Sequence, residues 1–255
     1  MEPWRTAIAT SDATNIWIRG YDITALMQRA TFVDTIFLLH QGQLPNQNER
    51  RLLDAIFVSV ADHGAGAPSC ATARLVASGN RQSLSAAIAA GVLAIGDEHG
   101  GAGSACMEMI NRGVTLARAG GISLAEAAEQ MIQEARASKV RLPGLGHRVH
   151  SHDPRKDVLF NMARESGLAK DGIEFIEHLQ SAAAKQIKPL PINVDGALAA
   201  VLYDLGFPPA AGKLFFIIGR VAGLTAEVAE EYTREKAMRI RIPVQYDGEP
   251  PRELP

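Results

Sequence analysis

Residues 83–119, SLSAAIAAGVLAIGDEHGGAGSACMEMINRGVTLARA, decide the fold class of this chain. Apolar residues recur in this stretch at spacings of three and four, which is the period of an α-helix. The pattern predicts two helices, Ser83–Gly96 and Gly101–Ala119, separated by a glycine-rich turn around His99. The first helix is apolar on all sides, so we expect it to be buried in the core or at a subunit interface.

The same helical period extends outward over almost the whole chain. Further helices are predicted at Ile23–His40, Asn48–Asp62, Ser69–Ser78, Ser123–Ala137, Pro154–Ser166, Gly172–Gln186, Val194–Leu205 and Ala210–Thr233. Only the opening stretch around Ile16–Ile18 has strand-like residues, and it predicts a short hairpin or an extended arm. Four prolines between Ile240 and Pro255 indicate an extended tail of the kind that packs on a neighbouring subunit. The sequence therefore predicts an all-α protein.

Composition argues against several classes of function. The chain has 255 residues and a formal net charge of −2, and its lysines and arginines are scattered, which is not the pattern of a nucleic-acid-binding protein. The most apolar run, Leu84–Ile95, is shorter than the about 20 residues that cross a bilayer. Cys70 and Cys106 lie in helical surroundings, and no signal segment is recognisable at the start, which indicates a reduced, cytoplasmic protein. A small molecule is the expected partner.

Three segments place a group that can move a proton in glycine-rich or helix-starting sequence. They are GDEHGGAG around His99, PGLGHRVHSHDPR around His147, and INVDG, which contains Asp195. A histidine at a helix N-terminus lies at the positive end of the helix dipole, which favours a neutral, hydrogen-bond-donating imidazole. Removing a proton from carbon next to a thioester requires a base and, at the same moment, donors that stabilise the enolate. Two imidazoles and one carboxylate together meet that requirement.

Other interpretations of these residues stay open at this point. His99 and Asp195 each have a structural alternative, in which they only cap a helix. The second segment also holds a cluster of possible metal ligands, His147, His150, His152 and Asp153. This cluster suggests a metal-dependent hydrolase, although metal sites usually draw their ligands from separate elements of the fold.

The order of the motifs resembles that of the citrate synthase family. IWIRGYDITALM with TFVDTIFLLHQGQLP, ADHGAGAPSCATARLVAS, GDEHGGA, GLGHRV with DPR, NVDG and IIGRVAG occur in the order that the family has. The resemblance implies an all-α, citrate synthase-like fold, shortened at its N-terminus, with a large domain (about 1–138 and 189–255) and a small domain (about 139–188). It also implies a homodimer or higher homo-oligomer that uses coenzyme A, as acyl-CoA substrate or product, and no metal.

The resemblance also implies roles for individual residues. Asp195 would take the α-proton of the acyl-CoA, His99 would donate to the enol(ate), and His147 would act as the acid on the carbonyl of the 2-oxo acid. The residues implied for binding the substrate carboxylates are His63, Arg155, Arg220 and, from the partner subunit's tail in RIRIPVQYDG, Arg241. The residues implied for binding coenzyme A are Leu145, Gly146 and Lys188.

Two departures from the synthase pattern favour cleavage over synthesis. Gly64 stands where synthases have Glu after the Asp-His pair, and Gly196 follows Asp195; both are similar to the citryl-CoA-cleaving module of ATP-citrate lyase and to citryl-CoA lyases. His99 differs from that module, which has an aromatic residue there. We therefore expect a citryl-CoA lyase, which cleaves citryl-CoA to acetyl-CoA and oxaloacetate through an enol(ate). The alternatives are a citrate or 2-methylcitrate synthase and a catalytically silent subunit that binds coenzyme A.

Overall fold

The computed structural model describes residues 2–146 and 152–253, so the predicted catalytic His147 lies outside the described residues. Within them the chain forms three short strands and eleven helices. The strands are β1 (Ala9–Ser11), β2 (Ile16–Ile18) and β3 (Tyr21–Asp22). The helices are α1 (Ile23–Arg29), α2 (Phe32–Gln41), α3 (Gln47–Ala61), α4 (Pro68–Gly79), α5 (Leu84–Leu93), α6 (Ala102–Gly120), α7 (Leu124–Ser138), α8 (Pro154–Glu165), α9 (Asp171–Gln186), α10 (Val194–Asp204) and α11 (Ala211–Arg234). The prediction of an all-α fold is confirmed.

The three strands form a small antiparallel sheet in the order β1-β2-β3. The carboxylate of Asp12 accepts the backbone N–H groups of Thr14 and Asn15, both at 2.8 Å, and so closes the turn between β1 and β2. The Arg19 guanidinium donates to the carbonyl oxygen of Leu39 at 2.7 Å, which ties the sheet to the end of α2. The opening stretch is thus a hairpin extended by a third strand.

The single helix predicted over Ile23–His40 is wrong, because the chain breaks at Ala30 and Thr31. The Thr31 hydroxyl accepts the N–H of Asp34 at 3.2 Å, and the Asp34 carboxylate accepts the N–H of Thr31 at 2.8 Å. This reciprocal capping box starts a new helix, α2, while Ala30 has an extended backbone. The apolar period continues on both sides of the break and conceals it.

Helix α10 forms the centre of the core. Nine of its eleven residues are buried, and it packs mainly against α6, α8 and α9. Helices α6 and α11 meet at two glycines, because a Cβ on Gly212 would lie 2.4 Å from the carbonyl carbon of Gly103. A Cβ on Gly103 would lie 2.9 Å from Leu198 in α10. The close approach brings the starts of α6 and α10 together with α11.

Helix α5 is only half covered in this single chain, and the expectation that it lies in the core is not met. Ala87 and Gly91 are buried, and a Cβ on Gly91 would lie 2.9 Å from the Leu224 side chain of α11. Leu84 and Leu93, on the other side, are 54% and 84% exposed. The helix also ends at Leu93 rather than at Gly96, which leaves room for the turn that holds His99. Burial at a subunit interface remains a prediction.

The other predicted helices agree with the observed bounds to within one residue at each end. The tail from residue 240 to residue 253 contains no helix or strand and is largely exposed, as the prolines indicate. In the part of the chain that the structure describes, no helix combines the length and apolar character that crossing a membrane requires.

Candidate active site

A tight turn between α5 and α6 holds His99. Gly96 and His99 exchange two backbone hydrogen bonds, of 3.1 and 3.0 Å. Gly100 has a φ of +76°, and a Cβ there would lie 2.3 Å from the Phe216 ring. Gly101, not His99, is the N-cap of α6, so the helix-cap alternative for His99 is wrong. The glycines after His99 therefore let the turn approach α11 closely.

The hydrogen bonds of His99 fix which ring nitrogen is protonated. The backbone N–H of Ser69 lies 3.2 Å from Nε2, and the Ser69 hydroxyl lies 2.9 Å from the same nitrogen. An amide N–H can only donate, so Nε2 is an acceptor. The neutral ring consequently carries its proton on Nδ1, and this assignment leaves Nδ1–H as the group that can donate to a ligand.

His99 is held in its neutral form. Burial lowers its pKa, and electrostatic interactions with Arg220 and His63 lower it further. The sequence predicted a neutral imidazole from the dipole of a helix start; the structure gives the same protonation state, with burial and these electrostatic interactions as the cause. A neutral Nδ1–H donates a hydrogen bond without transferring its proton in the ground state.

Arg220 lies in the middle of α11 and is 1% exposed. Its Nε donates to the carbonyl oxygen of Val60 at 2.9 Å, and its Nη1 donates to the Ser69 hydroxyl at 3.1 Å. Its guanidinium also lies over the Phe216 ring, 5.0 Å from the centroid. Among the described residues no carboxylate forms an ion pair with it. Arg220 is therefore a buried cation that no acid of the described residues neutralises through an ion pair.

The loop after α3 brings His63 to the same place. Asp62 accepts the N–H of Gly64 at 2.6 Å, and its second oxygen lies 3.5 Å from Cys70 Sγ on α4. These contacts fold the loop back onto α4, where Ser69 lies. His63 is exposed and is close enough to His99 to lower its pKa. Gly64 has a φ of +96°, which a residue with a side chain adopts only with strain.

Asp195 is the second residue of α10, but it does not cap that helix. The N-cap is Asn193, whose side-chain oxygen accepts the N–H of Gly196 at 3.1 Å. The capping alternative for Asp195 is therefore wrong. Its carboxylate oxygen Oδ1 is buried and has no hydrogen-bond partner among residues 2–146 and 152–253. Burial raises the pKa of Asp195 to about 6, and the nearby charges of Arg155 and Arg220 oppose that rise.

Arg155 is engaged by its neighbour in sequence, Asp153. The two Asp153 oxygens accept Arg155 Nε at 2.9 Å and Nη2 at 2.8 Å, and Arg155 Nη1 donates to the carbonyl oxygen of Ser59 at 3.2 Å. Asp153 is 3% exposed and also accepts backbone N–H groups at the starts of α8 and α10, from Arg155 and Val194. The Arg155 guanidinium, which the resemblance assigned to a substrate carboxylate, thus already binds the carboxylate of Asp153.

Residues 144–146 are attached to the start of α10. Gly146 N–H donates to the Pro191 oxygen at 2.7 Å, Asn193 N–H donates to the Gly144 oxygen at 3.0 Å, and the Asn193 side chain donates to the Gly146 oxygen at 2.8 Å. A Cβ on Gly196 would lie 2.3 Å from the Gly144 oxygen, so both glycines are needed for this contact. The segment leading to His147 therefore lies directly against the helix start that carries Asp195.

The remaining predicted residues lie at the edges of this region or away from it. Leu145 pairs with Ile192 in an isolated bridge next to Gly146, and Lys188 is exposed in the turn after α9. Arg241 is exposed in the tail. Of the metal-ligand cluster, His152 pairs with Asp157 at 2.6 Å and Asp153 with Arg155, while His147 and His150 lie outside the described residues.

Sequence reasoning missed Ser69 and Cys106. Ser69 joins His99 to Arg220, yet it lies 30 residues from one and 151 from the other, and no local pattern connects them. Cys106 is buried against the start of α10, and its position on α6, seven residues after His99, was the only sequence signal. Both residues become recognisable only when the helices are packed.

Known proteins with similar sequences are citrate synthases. A family model described as citrate synthase, C-terminal domain, matches residues 3–51 and 45–241. Citrate synthase from Deinococcus radiodurans is 30% identical over 239 residues, which cover 90% of this chain and 59% of that protein. Glyoxysomal citrate synthase from Cucurbita maxima is 30% identical over 213 residues, which cover 80% of this chain and 39% of that protein. The chain thus spans about two fifths to three fifths of these relatives.

Among solved structures, citryl-CoA lyase from Hydrogenobacter thermophilus superimposes with a TM-score of 0.91 at 40% identity, covering 100% of this chain and 98% of that one. ATP citrate lyase from Methanosaeta concilii shares the fold, with a TM-score of 0.74 at 20% identity over 97% of this chain and 43% of that one. The family match, the fold and the order of the site motifs agree with one another. This chain belongs to the citrate synthase family.

Proposed function

We propose that this protein is a citryl-CoA lyase, an enzyme that cleaves citryl-CoA to acetyl-CoA and oxaloacetate. One observation carries the proposal: Arg220 lies close enough to act on the pKa of both a neutral His99 that presents Nδ1–H and the Asp195 carboxylate, whose buried oxygen Oδ1 accepts no hydrogen bond from any described residue. This pair suits an enolate, which needs a donor at oxygen and a proton exchanged at carbon. The match of nearly full length to a citryl-CoA lyase supports cleavage rather than synthesis as the net reaction.

The cleavage follows from the roles of three residues. His147 accepts the proton of the citryl hydroxyl as the carbon–carbon bond breaks, and the bonding electrons move into the thioester as an enolate. His99 Nδ1–H stabilises the enolate oxygen. The carboxylic acid of Asp195 then gives its proton to carbon and forms acetyl-CoA. Burial raises the pKa of Asp195 to about 6, so its acid form is more populated near neutral pH than that of an exposed aspartate, which favours this step.

The cationic residues are proposed to hold the substrate carboxylates. Arg220 and His63 lie beside His99, and Arg220 is buried without an acid partner in the described parts of the chain, as a site for an incoming carboxylate requires. Arg155 can bind a substrate carboxylate only if it first releases the carboxylate of Asp153. We propose that this exchange accompanies closure of the small domain, residues 139–188, on the large domain, with coenzyme A bound by Leu145, Gly146 and Lys188.

The active unit is proposed to be a homodimer or a higher homo-oligomer. The exposed apolar face of α5 would be covered by a second copy, since large exposed apolar residues such as Leu93 mark association surfaces. Arg241, in the exposed tail, would extend into the partner's site. Both cysteines are free and buried, in keeping with a reducing compartment such as the cytoplasm.

A synthase is the second candidate, because the curated relatives favour it. Besides the citrate synthases, 2-methylcitrate synthase from Mycobacterium tuberculosis is 28% identical over 202 residues. By microscopic reversibility the same three residues catalyse condensation, with Asp195 acting as the base. The two candidates then differ in net direction and in whether the citryl thioester is hydrolysed.

Two incubations test the proposal. Purified protein is mixed with citryl-CoA, or with acetyl-CoA plus oxaloacetate, and both free thiol and oxaloacetate are followed. A lyase releases oxaloacetate without free thiol in the first mixture. Free thiol in the second mixture identifies a synthase and contradicts the proposal. Thermal stabilisation by coenzyme A without turnover in either mixture identifies a silent subunit.

A further inference from the structure

The ion pair between Asp153 and Arg155 lies at the start of α10. Both Asp153 oxygens accept hydrogen bonds from the Arg155 guanidinium, Oδ1 from Nε at 2.9 Å and Oδ2 from Nη2 at 2.8 Å. The same carboxylate accepts the backbone N–H of Val194, the residue before Asp195. Arg155 Nη1 donates to the carbonyl oxygen of Ser59 at 3.2 Å, so the pair is also attached to α3. The guanidinium that is proposed to bind substrate therefore lies next to the helix start that carries the proton-transferring group.

Asp153 is a buried, ionised carboxylate. Its side chain is 3% exposed, whereas that of Arg155 is 28% exposed. Burial by itself raises the pKa of Asp153, but the hydrogen bonds and the charge of Arg155, together with the N–H of Val194, outweigh burial and lower it. A bidentate pair between a guanidinium and a carboxylate is among the stronger hydrogen-bonded arrangements in proteins. Without substrate, the protein thus supplies Arg155 with a carboxylate of its own.

We propose that Asp153 is an internal competitor of oxaloacetate for Arg155, and that it promotes the release of this product after cleavage. This inference rests on the proposed lyase function. Arg155 binds an incoming carboxylate only in the fraction of molecules in which it has left Asp153, so the pair lowers the apparent affinity for oxaloacetate. As oxaloacetate leaves, Asp153 binds the guanidinium again. Asp153 is a positioning residue that acts on the product through Arg155.

A purely structural role for the pair predicts the opposite result. If Asp153 and Arg155 only joined α8 to α3 and α10, loss of the Asp153 charge would loosen the site, and oxaloacetate would bind more weakly. If Asp153 is an internal competitor, the same loss makes oxaloacetate bind more tightly. The sign of the change in affinity therefore separates the two roles.

The experiment measures the dissociation constant of oxaloacetate by calorimetry and its inhibition constant against cleavage of citryl-CoA. Asp153→Asn retains an oxygen that accepts the backbone N–H groups, but its amide nitrogen is a donor and cannot complete the fork with Arg155. We expect both constants to fall by about threefold to tenfold in this variant. Asp153→Ser retains a residue that caps α8 but has no carboxylate. It should shift both constants in the same direction, which keeps the test available if the asparagine variant does not fold.

Two controls test whether the effect passes through Arg155. Arg155→Gln should weaken oxaloacetate binding, and the addition of Asp153→Asn should then produce no tightening, because the group for which Asp153 competes is absent. Asp157→Asn removes one negative charge from the same helix, at a side chain that is 44% exposed, and should leave both constants unchanged.

The outcomes distinguish this inference from the proposed function. Unchanged or weaker binding in the two Asp153 variants, or equal tightening in Asp157→Asn or in the Arg155→Gln background, overturns the role of Asp153 while cleavage of citryl-CoA stands. Binding at the wild-type level in Arg155→Gln shows that Arg155 does not bind oxaloacetate, which overturns both that assignment and the role of Asp153. A wild type that does not cleave citryl-CoA overturns the proposed function and, with it, a role in product release.

Discussion

Arg220 and Glu231 lie on the same helix, α11, and both are buried, but their surroundings differ. Glu231 is 0% exposed and binds two guanidinium groups: Arg239 through Nε at 2.9 Å and Nη2 at 2.6 Å, and Arg74 through Nε at 3.1 Å. Arg220 bonds only to a carbonyl and a hydroxyl oxygen in the described parts of the chain. The C-terminal half of α11 (the paired end) pairs its buried charge with two guanidinium groups, and the N-terminal half (the open end) leaves the Arg220 charge without a carboxylate among the described residues.

The difference separates two uses of a buried charge. The cluster around Glu231 joins α4, α11 and the beginning of the tail, so its charges stabilise the fold. Arg220 has no carboxylate partner among the described residues, and an unpaired buried charge costs stability unless a ligand supplies the missing partner. We expect substitutions at the open end to reduce activity and substitutions at the paired end to reduce stability.

The largest effect is expected from Asp195→Asn, which removes the proton-transferring group and retains its shape. Turnover of citryl-CoA should fall by at least about 10³-fold, because general acid–base catalysis and the electrostatics of the site are lost together. Binding of coenzyme A, measured by calorimetry, should change little. Turnover within about tenfold of wild type would place the acid elsewhere.

At the paired end, Glu231→Gln should lower the free energy of unfolding by about 3–5 kcal/mol, because Arg74 and Arg239 lose the buried charge that they share. Urea denaturation followed by circular dichroism measures this effect. Glu230→Gln is the matched control, since the Glu230 side chain is 45% exposed and its ion pairs should contribute less than about 1 kcal/mol. Equal losses in both variants would contradict the distinction between the two ends of α11.

Arg220→Lys tests the open end without removing the charge. Lysine cannot form two parallel hydrogen bonds with a carboxylate, so productive substrate binding should weaken by about 2–4 kcal/mol while the fold is retained. The comparison of kcat/KM with the thermal midpoint decides the outcome. A lower midpoint with unchanged kcat/KM would assign Arg220 to the structural class represented by Glu231.

The smallest effect concerns stability and pH. Burial raises the folded-state pKa of Asp195 to about 6, so the folded protein holds this proton more tightly than the unfolded chain does. The stability that the Asp195 carboxyl group contributes is therefore largest at acidic pH and is lost as pH rises from about 4 to about 6. The free energy of unfolding of Asp195→Asn should therefore be about 3 kcal/mol higher than that of the wild type at pH 8, and the same as that of the wild type near pH 3. Unfolding midpoints of both proteins across this range measure it; a variant less stable than wild type at pH 8 would show that the carboxylate stabilises the fold.

The sequence predicts features that depend on local pattern and fails where distant elements meet. The period of apolar residues predicts α10 and α11 almost to the residue. The family motifs predict roles for His99, Asp195 and Arg220, and those roles stay predictions. The Ser69 bridge could not be predicted, because it connects α4, the turn before α6, and α11, which only packing brings together. The pairing of Arg155 with Asp153 was accessible from their spacing of two residues, but the sequence cannot decide between a protein carboxylate and a substrate carboxylate.

The contact between Gly144 and Gly196 restricts which substitutions these two positions can accept. A side chain at position 196 collides with the Gly144 oxygen, and a side chain at position 144 collides with both Cys106 and Gly196. Neither glycine can be replaced alone without moving the segment that leads to His147 away from Asp195. A descendant that acquires a larger residue after the aspartate must therefore rebuild the facing loop at the same time, so the two positions evolve as one unit.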